Sequence, residues 1–414
     1  MVREIDLAII GGGPAGLAAA IAAKKEGAKD VVVIERKGEL GGLLDQCIHD
    51  GFGLEIFKTT LTGPEYAQKY IDEAEKMGVV ALLDTMVLNI TPEKELLISN
   101  YEGLQTLKAK AVILAMGCRE RTREAIGIPG TRPSGVYTAG AAQAYINLYN
   151  HMLGKRVVIL GSGNVGLIMA RRLTLEGAKV LAVLEILPYS SGLTRNIVQC
   201  LEDFGIPLYL SHTIADIDGP DRVRSVTVTK VDDKFRPIKG SEWKIECDTV
   251  LLSVGLIPEN ELSKKAGVQL DPNTGGAMVD SDLETSAPGI YACGNALHVH
   301  DIVDFATIES EKAGRSAANF LQKGGREKNK IATKPGEGVR YVVPQQLVQG
   351  DNTTLLFRVN DPGVNKVVKI VDEAGKVLRK VPFRKVNPAE MIRIPLRGID
   401  FKDAREVKVE IGKA

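Results

Sequence analysis

One pattern occurs twice in this chain and dictates most of what the rest can be. Ile5 to Ile10 reads as a short apolar strand. It runs into Gly11-Gly12-Gly13-Pro14-Ala15-Gly16, then an alanine-rich helical stretch, Leu17 to Lys25, and a second apolar run, Val31 to Ile34, that ends at Glu35. Later, Arg156 to Leu160 is the strand, Gly161-Ser162-Gly163-Asn164-Val165-Gly166 the loop and Leu167 to Glu176 the helix, and Val180 to Leu184 ends at Glu185. In both copies the acid falls 19 positions after the third glycine. In such a loop the first glycine makes the tight turn, the second lets the backbone approach a pyrophosphate, and the third lets helix and strand pack closely. The helix N-terminus offers free N–H groups and the positive end of its dipole to the phosphates. The carboxylate accepts hydrogen bonds from ribose hydroxyls. Two such units predict an α/β chain with two Rossmann-like dinucleotide-binding domains; glycine-rich turns in two unrelated α/β units are the alternative. Glu185 is followed by Ile186-Leu187-Pro188, with no basic residue. A site for the 2′-phosphorylated cofactor brings an arginine near this position, so NAD(H) is favoured over NADP(H).

Composition narrows the class. At roughly 100–200 residues per domain, 414 residues predict two to four domains. Lysine plus arginine gives 53 and aspartate plus glutamate 52, a net charge of +1. Such balance argues against nucleic acid as the main partner, a role that leaves a strongly basic domain. Hydrophobic residues at 44% and charged residues at 25% exclude a disordered, collagen-like or coiled-coil protein. No apolar run approaches the roughly 18 residues of a membrane span. The start, Met1-Val2-Arg3-Glu4, has no signal-peptide pattern. Cys47, Cys118, Cys200, Cys247 and Cys293 are far apart in sequence. Neither a disulfide framework nor a local metal cluster is supported, and a reducing cytoplasm is the default compartment.

Over about residues 1–325 the sequence resembles the two-dinucleotide-domain flavoproteins, the superfamily of the pyridine nucleotide–disulfide oxidoreductases. The resemblance implies FAD at the first site and NAD at the second. It implies that Gly11, Gly13, Pro14, Ala15, Gly16, Glu35 and Arg36 hold the adenosine diphosphate of FAD, and that Gly42, of Gly41-Gly42, lies near the flavin. Leu114-Ala115-Met116-Gly117 is similar to the segment that leaves the FAD domain, and Leu252 to Asn260, through Gly255, to the segment that returns. Thr285 to Asn295 resembles the second FAD motif, ending in Gly294-Asn295. Gly161, Gly163, Asn164, Val165, Gly166 and Glu185 are then the NAD contacts. The implied organisation is an FAD domain over 1–118 and 253–325, with the NAD domain, 119–252, inserted. Two departures stand out. The second motif in this superfamily usually ends in Gly-Asp. The redox pair CxxxxC that follows Gly-Gly in the disulfide reductases is reduced here to one cysteine, Cys47. A dithiol relay needs two thiols within bonding distance, so disulfide reduction is not expected.

Gly41 to Leu54, Pro129 to Gln143 and Asn295 to Asp301 resemble the smaller flavoprotein subunit that accompanies a glycerol-3-phosphate-dehydrogenase-type oxidase; related subunits serve hydrogen cyanide synthase and opine oxidase. This implies a second FAD-dependent dehydrogenase subunit as partner, with a small iron–sulfur or metal-binding subunit beside it. A helix from near Asp304 to about Gln322 follows the second motif, and the superfamily points such a helix at the flavin, whose anionic reduced ring a positive dipole end would stabilise. Asp304, Phe305 and Ala306 are the candidate contacts. The resemblance implies that Cys47 and His49 fall on the redox-active side of the ring, away from NAD. Each is either a group that exchanges electrons or protons with a partner or a packing cysteine and a hydrogen-bonded histidine. His298, His300 and Asp301 form a polar cluster suited to proton handling or flavin contact, or else a polar turn leading into the helix; with no further cysteine or histidine nearby, no metal is expected.

Residues 323–336 read as a polar linker. Beyond them Val339–Val343, Thr353–Val359, Val367–Val371, Val377–Val381, Met391–Leu396 and Val407–Ile411 are short β-rich runs, with a hairpin turn at Asp372 to Gly375. They predict a small C-terminal β-sandwich over 336–414, with 15 basic and 10 acidic residues. A mildly basic module suits docking to a partner as well as an ordinary solvated surface. Three functions compete: the flavoprotein subunit of a dehydrogenase complex, a free-standing NADH:acceptor oxidoreductase, and a non-catalytic flavoprotein scaffold or redox sensor.

Overall fold

The near-continuous apolar run of the first strand suits burial on both faces of a parallel sheet. In the computed structural model, which describes residues 2–325, 328–350, 353–398, 401 and 404–413, this run is β1 (Val2–Ile10), central to a seven-stranded sheet. Helix α1 (Pro14–Lys25) carries the chain back to β2 (Val31–Ile34), parallel to β1. Helix α2 (Gly63–Lys76) opens on a capping box, with Thr62 and Glu65 satisfying each other's backbone N–H, and leads to β3 (Val80–Leu82) beside β2. β4 (Met86–Ile90), β5 (Glu95–Asn100) and β6 (Gly103–Leu114) form an antiparallel meander whose last strand lies parallel to β1. Ile290–Ala292, from much later in the chain, pairs with β6 in parallel.

The chain divides into two compact units, Met1–Cys118 with Pro258–Ala414, and Arg119–Ile257. In the first, the long helix Val303–Lys323 packs along α1. A Cβ on Gly314 would fall inside van der Waals contact of the Ala19 carbonyl. With Ala313, Ala317 and Ala318 also fully buried, small side chains let the two helices close without a void.

The second unit is built on five parallel strands in the order Leu208–Leu210, Lys179–Glu185, Arg156–Leu160, Thr249–Leu252, Val136–Thr138. Alternate residues feed cores on opposite faces, Val157 and Ile159 on one, Val158 and Leu160 on the other. A three-stranded antiparallel meander, His212–Asp218, Ser225–Lys230 and Trp243–Glu246, completes it.

The two units repeat each other to the level of helix caps. α1 and the helix Asn164–Leu175 both run out into Glu-Gly-Ala. Gly27 (φ +91°) and Gly177 (φ +87°) occupy the left-handed position. The next residue's N–H then bonds back, Ala28 to Ala23 O at 3.0 Å and Ala178 to Leu173 O at 2.9 Å.

The C-terminal region is a β-sandwich. A five-stranded sheet (Gln346–Val348, Lys330–Pro335, Glu406–Lys413, Gly363–Asp372, Val377–Val386) faces a three-stranded one (Val339–Val343, Thr354–Val359, Ile392–Pro395). Leu355, Phe357, Val368, Ile370, Val407 and Val409 fill the space between. The segment that reads as a linker is different in the structure. Lys330–Pro335 is a strand, parallel to Glu406–Lys413, with Ile331 and Thr333 turned inward; its lysines and a proline mask the alternation. Residues 326 and 327 of that segment lie outside the described residues. Lys328 is anchored as well, its ammonium 2.8–2.9 Å from Asp280, Asp282 and Glu284.

Candidate functional site

In the first unit the glycine loop turns away from β1 at Gly11 (φ +107°), whose N–H donates to Ile34 O at 2.9 Å. A Cβ there would strike the Ala115 carbonyl, and one on Gly16 would strike Gly11 O. Glu35, buried at the end of β2, accepts the Gly12 N–H on Oε2 at 2.7 Å and the Lys37 N–H on Oε1 at 2.9 Å. Each oxygen has a remaining lone pair for a hydroxyl. A Cβ built on Gly13 would face Gly42 Cα at 3.8 Å, and a Cβ on Gly42 (φ +66°) would come within 2.8 Å of Gly13 Cα. Gly13 and Gly42 thus form a cradle of bare backbone at the N-terminus of α1, where Pro14 is the first helical residue. An anionic group is stabilised in such a place, so these residues fit the diphosphate of FAD. Ala15 closes on the second motif, its Cβ 2.7 Å from a Cβ built on Gly294. Arg36 is exposed. The Gly117 carbonyl accepts the Glu259 N–H at 3.0 Å.

The second unit repeats this geometry. Gly161 (φ +95°) donates its N–H to Leu184 O at 2.7 Å, and a Cβ there would strike the Ser253 carbonyl. A Cβ on Gly166 would lie 2.6 Å from Ser253 Cβ, so the third glycine is a packing requirement. Glu185, also buried, accepts the Ser162 N–H on Oε2 at 3.0 Å and the Leu187 N–H on Oε1 at 3.1 Å. The hydroxyls of Ser162 and Ser191 add two more bonds to Oε2, at 2.5 and 2.8 Å. Asn164 Oδ1 accepts the Leu193 N–H and the Asn196 amide, and Val165 is half-buried. Among the described residues, the hydrogen-bond partners of Glu185 include no arginine or lysine side chain. Gly255, at φ +107°, accepts the Arg121 N–H. The sites therefore take shape separately, around Glu35 in the first unit and Glu185 in the second.

Asn295, at the end of the second motif, has Oδ1 on the His300 N–H at 3.0 Å and Nδ2 3.6 Å from Cys118 Sγ. The polar cluster that follows is not the one the sequence suggests. Asp301 turns away to Arg358 and to the Met391 N–H, on the C-terminal sandwich. The acid that meets the histidines is Glu309, from the long helix. His298 Nε2 is 2.7 Å from Glu309 Oε2, and His300 Nε2 is 3.1 Å from Oε1, which also accepts the Gly294 N–H at 2.9 Å. The three side chains are 1%, 3% and 6% exposed. Burial alone would raise the Glu309 carboxyl, but His300 and His298 hold it well below the ordinary carboxylate range. Burial pushes His298 below the ordinary histidine value.

Asp304 is buried, and its carboxylate is committed to the 51–57 loop, accepting the Gly53 N–H at 3.1 Å and the Ile56 N–H at 3.0 Å. Phe305 lies under the Arg393 guanidinium, 3.8 Å from the ring centroid, and Ala306 is buried. Cys47 Sγ is 3.3 Å from Leu43 O. Burial, helped by the charge of Asp45, pushes its thiol up to about 12. A thiol so placed is protonated at neutral pH and does not act as a thiolate. His49 Nδ1 is 2.9 Å from Asp50 O and its ring is 5.0 Å from Phe52.

Sequence reasoning missed Glu309, Arg358 and the serines around Glu185. Glu309 follows His300 by nine residues inside an ordinary amphipathic helix, and nothing in its spacing marks it. Arg358 sits in a β-strand of another module, yet donates to Tyr341, Pro388 and Ala389 within that module and to Val299 and Asp301 beyond it.

The sequence family described as "Pyridine nucleotide-disulphide oxidoreductase" matches residues 5–331. The F subunit of alkyl hydroperoxide reductase from Pseudomonas aeruginosa is 30% identical over 325 residues, 76% of this chain and 58% of that protein. Hydrogen cyanide synthase subunit HcnB of Pseudomonas protegens is 26% identical over 365 residues, 81% of this chain and 74% of that protein. The chain thus spans little more than half the length of the first of these relatives. Among solved structures, thioredoxin reductase of T. acidophilum superposes with a TM-score of 0.64 at 27% identity, over 77% of this chain and 98% of its own. No helix among the described residues is long and apolar enough to cross a membrane.

Proposed function

The chain belongs to the pyridine nucleotide-disulphide oxidoreductase family, and from that premise we propose that it is the electron-transferring flavoprotein subunit of a multi-subunit dehydrogenase, of the type that oxidises glycerol 3-phosphate. Its class is that of the FAD-dependent pyridine nucleotide oxidoreductases, with FAD and a nicotinamide nucleotide as cofactors. FAD, when bound, supplies the ring that takes up an electron pair and passes it on. The observation that carries the reading is the repeated pairing of glycine loop and buried acid, Gly12 with Glu35 and Ser162 with Glu185. Glu35 and the Gly13–Gly42 cradle hold FAD; Glu185 and the Ser162 loop hold the nicotinamide nucleotide.

NAD(H) is the nucleotide this chain selects. Glu185 is ringed by hydroxyls and N–H groups, and its partners among the described residues include no guanidinium to neutralise a 2′-phosphate. That phosphate would meet a buried carboxylate, while a ribose hydroxyl would donate to it. Cys47, the single cysteine of its segment and protonated, offers no dithiol outlet, so the electrons leave to a partner. Alkyl hydroperoxide reductase and hydrogen cyanide synthase both contain their relative of this chain as a subunit. The partner we assign is a second FAD-dependent dehydrogenase subunit, accompanied by a small iron–sulfur or metal-binding subunit, in the cytoplasm.

The test is turnover of the flavin-loaded chain with NADH. As a subunit it reduces an artificial acceptor such as ferricyanide rapidly and oxygen at least a hundred-fold more slowly. Comparable rates with oxygen would instead favour a free-standing oxidase, and no turnover with either acceptor would favour the scaffold.

A further inference from the structure

The His298–His300–Glu309 cluster is more than a buried hydrogen-bonded group. One ligand atom from each of the three lies within 4.8 Å of the others. Both Nε2 atoms already rest on the carboxylate, which fixes the rings. The Nδ1 atoms of His298 and His300 are both buried without a hydrogen-bond partner. Buried polar atoms are nearly always satisfied, and an orphan usually marks a missing water or ion. Here there are two, on adjacent rings whose centroids are 4.4 Å apart.

We propose that His298 and His300 bind one divalent transition-metal ion through their Nδ1 atoms, with Glu309 accepting both Nε2–H groups as the supporting carboxylate that orients the rings. Imidazole nitrogens are borderline donors, and a carboxylate behind them raises their basicity. Such a set suits zinc or ferrous iron and is poorly matched to calcium or magnesium, which take oxygen ligands. The set escapes the sequence because its third member is a carboxylate one helix turn or more beyond the loop. The Gly294 N–H on Glu309 Oε1 ties this supporting carboxylate to the backbone of the second dinucleotide motif, so the ion would brace that motif through the histidines. This replaces the proton-handling role that the sequence suggests for the two histidines.

The experiment is metal analysis of the full, flavin-loaded chain. Protein stripped with chelator is dialysed against zinc, then against metal-free buffer, and its zinc is counted per flavin; Co(II) is added in a parallel sample. The expected result is one zinc per chain. Co(II) gives visible d–d absorption, and zinc retention falls at least ten-fold in both H300Q and E309Q. Flavin absorbance per chain reports folding, and if E309Q does not fold, H300Q alone decides. Zinc below a tenth of an equivalent in the unaltered chain would overturn the proposal. So would equal retention in the chain and its folded variants, which would place the metal elsewhere.

Discussion

Glu185 Oε2 accepts the Ser162 hydroxyl at 2.5 Å and the Ser162 N–H at 3.0 Å. The residue after the first glycine of the loop therefore aims the acid we assign to the nicotinamide nucleotide. Replacing Glu185 by Ala should raise the KM for NADH at least ten-fold, about 1.4 kcal/mol, and narrow the NADH-to-NADPH preference. Ser162→Ala should give a smaller rise, about three-fold, because the N–H still holds the carboxylate. Steady-state kinetics with both nucleotides measures each.

The Gly13–Gly42 approach makes a separate prediction. A side chain at Gly42 would meet Gly13 Cα at 2.8 Å and would carry a φ of +66°. Gly42→Val should leave less than a tenth of the flavin bound per chain. The nucleotide site in the other unit has its own strand, loop and acid, so quenching of NADH fluorescence on binding should persist. Loss of both together would mean that the variant had unfolded.

Asp304 acts through backbone N–H groups. Asp304→Ala would leave the buried Gly53 N–H and the half-buried Ile56 N–H without this acceptor. At about 1–3 kcal/mol for each such group, the melting temperature should fall by about 5 °C or more. Asp304→Asn, which keeps an acceptor, should recover part of it. Thermal melts of the flavin-loaded protein read the difference.

Cys47 is predicted to be inert. With its thiol pushed up to about 12, its thiolate population at pH 8 is about three orders of magnitude below that of a free cysteine near 8.5. Iodoacetamide should label it correspondingly slowly, with a rate that climbs ten-fold per pH unit into the alkaline range. The folded thiol holds its proton above the unfolded value. Its contribution to stability is therefore complete below about 8.5 and is lost as pH rises from there toward 12. Cys47→Ser should leave flavin reduction by NADH within two-fold of the unaltered chain, measured by stopped flow.

The parts of this molecule written in local sequence were legible. Glycine loops, strand ends and the 19-residue interval to Glu35 and Glu185 are dictated by backbone chemistry over short distances, and the fold class follows from them. The sandwich was legible by alternation, except where Lys330–Pro335 hides two inward residues among lysines. The histidine cluster was half legible. His298 and His300 announce themselves, but Asp301, adjacent in sequence, is taken by Arg358 from a strand 57 residues on. Glu309 arrives from a helix face instead. Which acid meets which histidine is decided by packing between modules, and no local signal carries that.

The most direct test of two functional dinucleotide sites is anaerobic mixing of the yellow, flavin-loaded chain with NADH and, separately, NADPH. Rapid bleaching of the flavin band by NADH, at least ten-fold slower with NADPH, is the expected result. A flavin that neither nucleotide bleaches would contradict the account, because the Glu185 loop would then not be a working nicotinamide site.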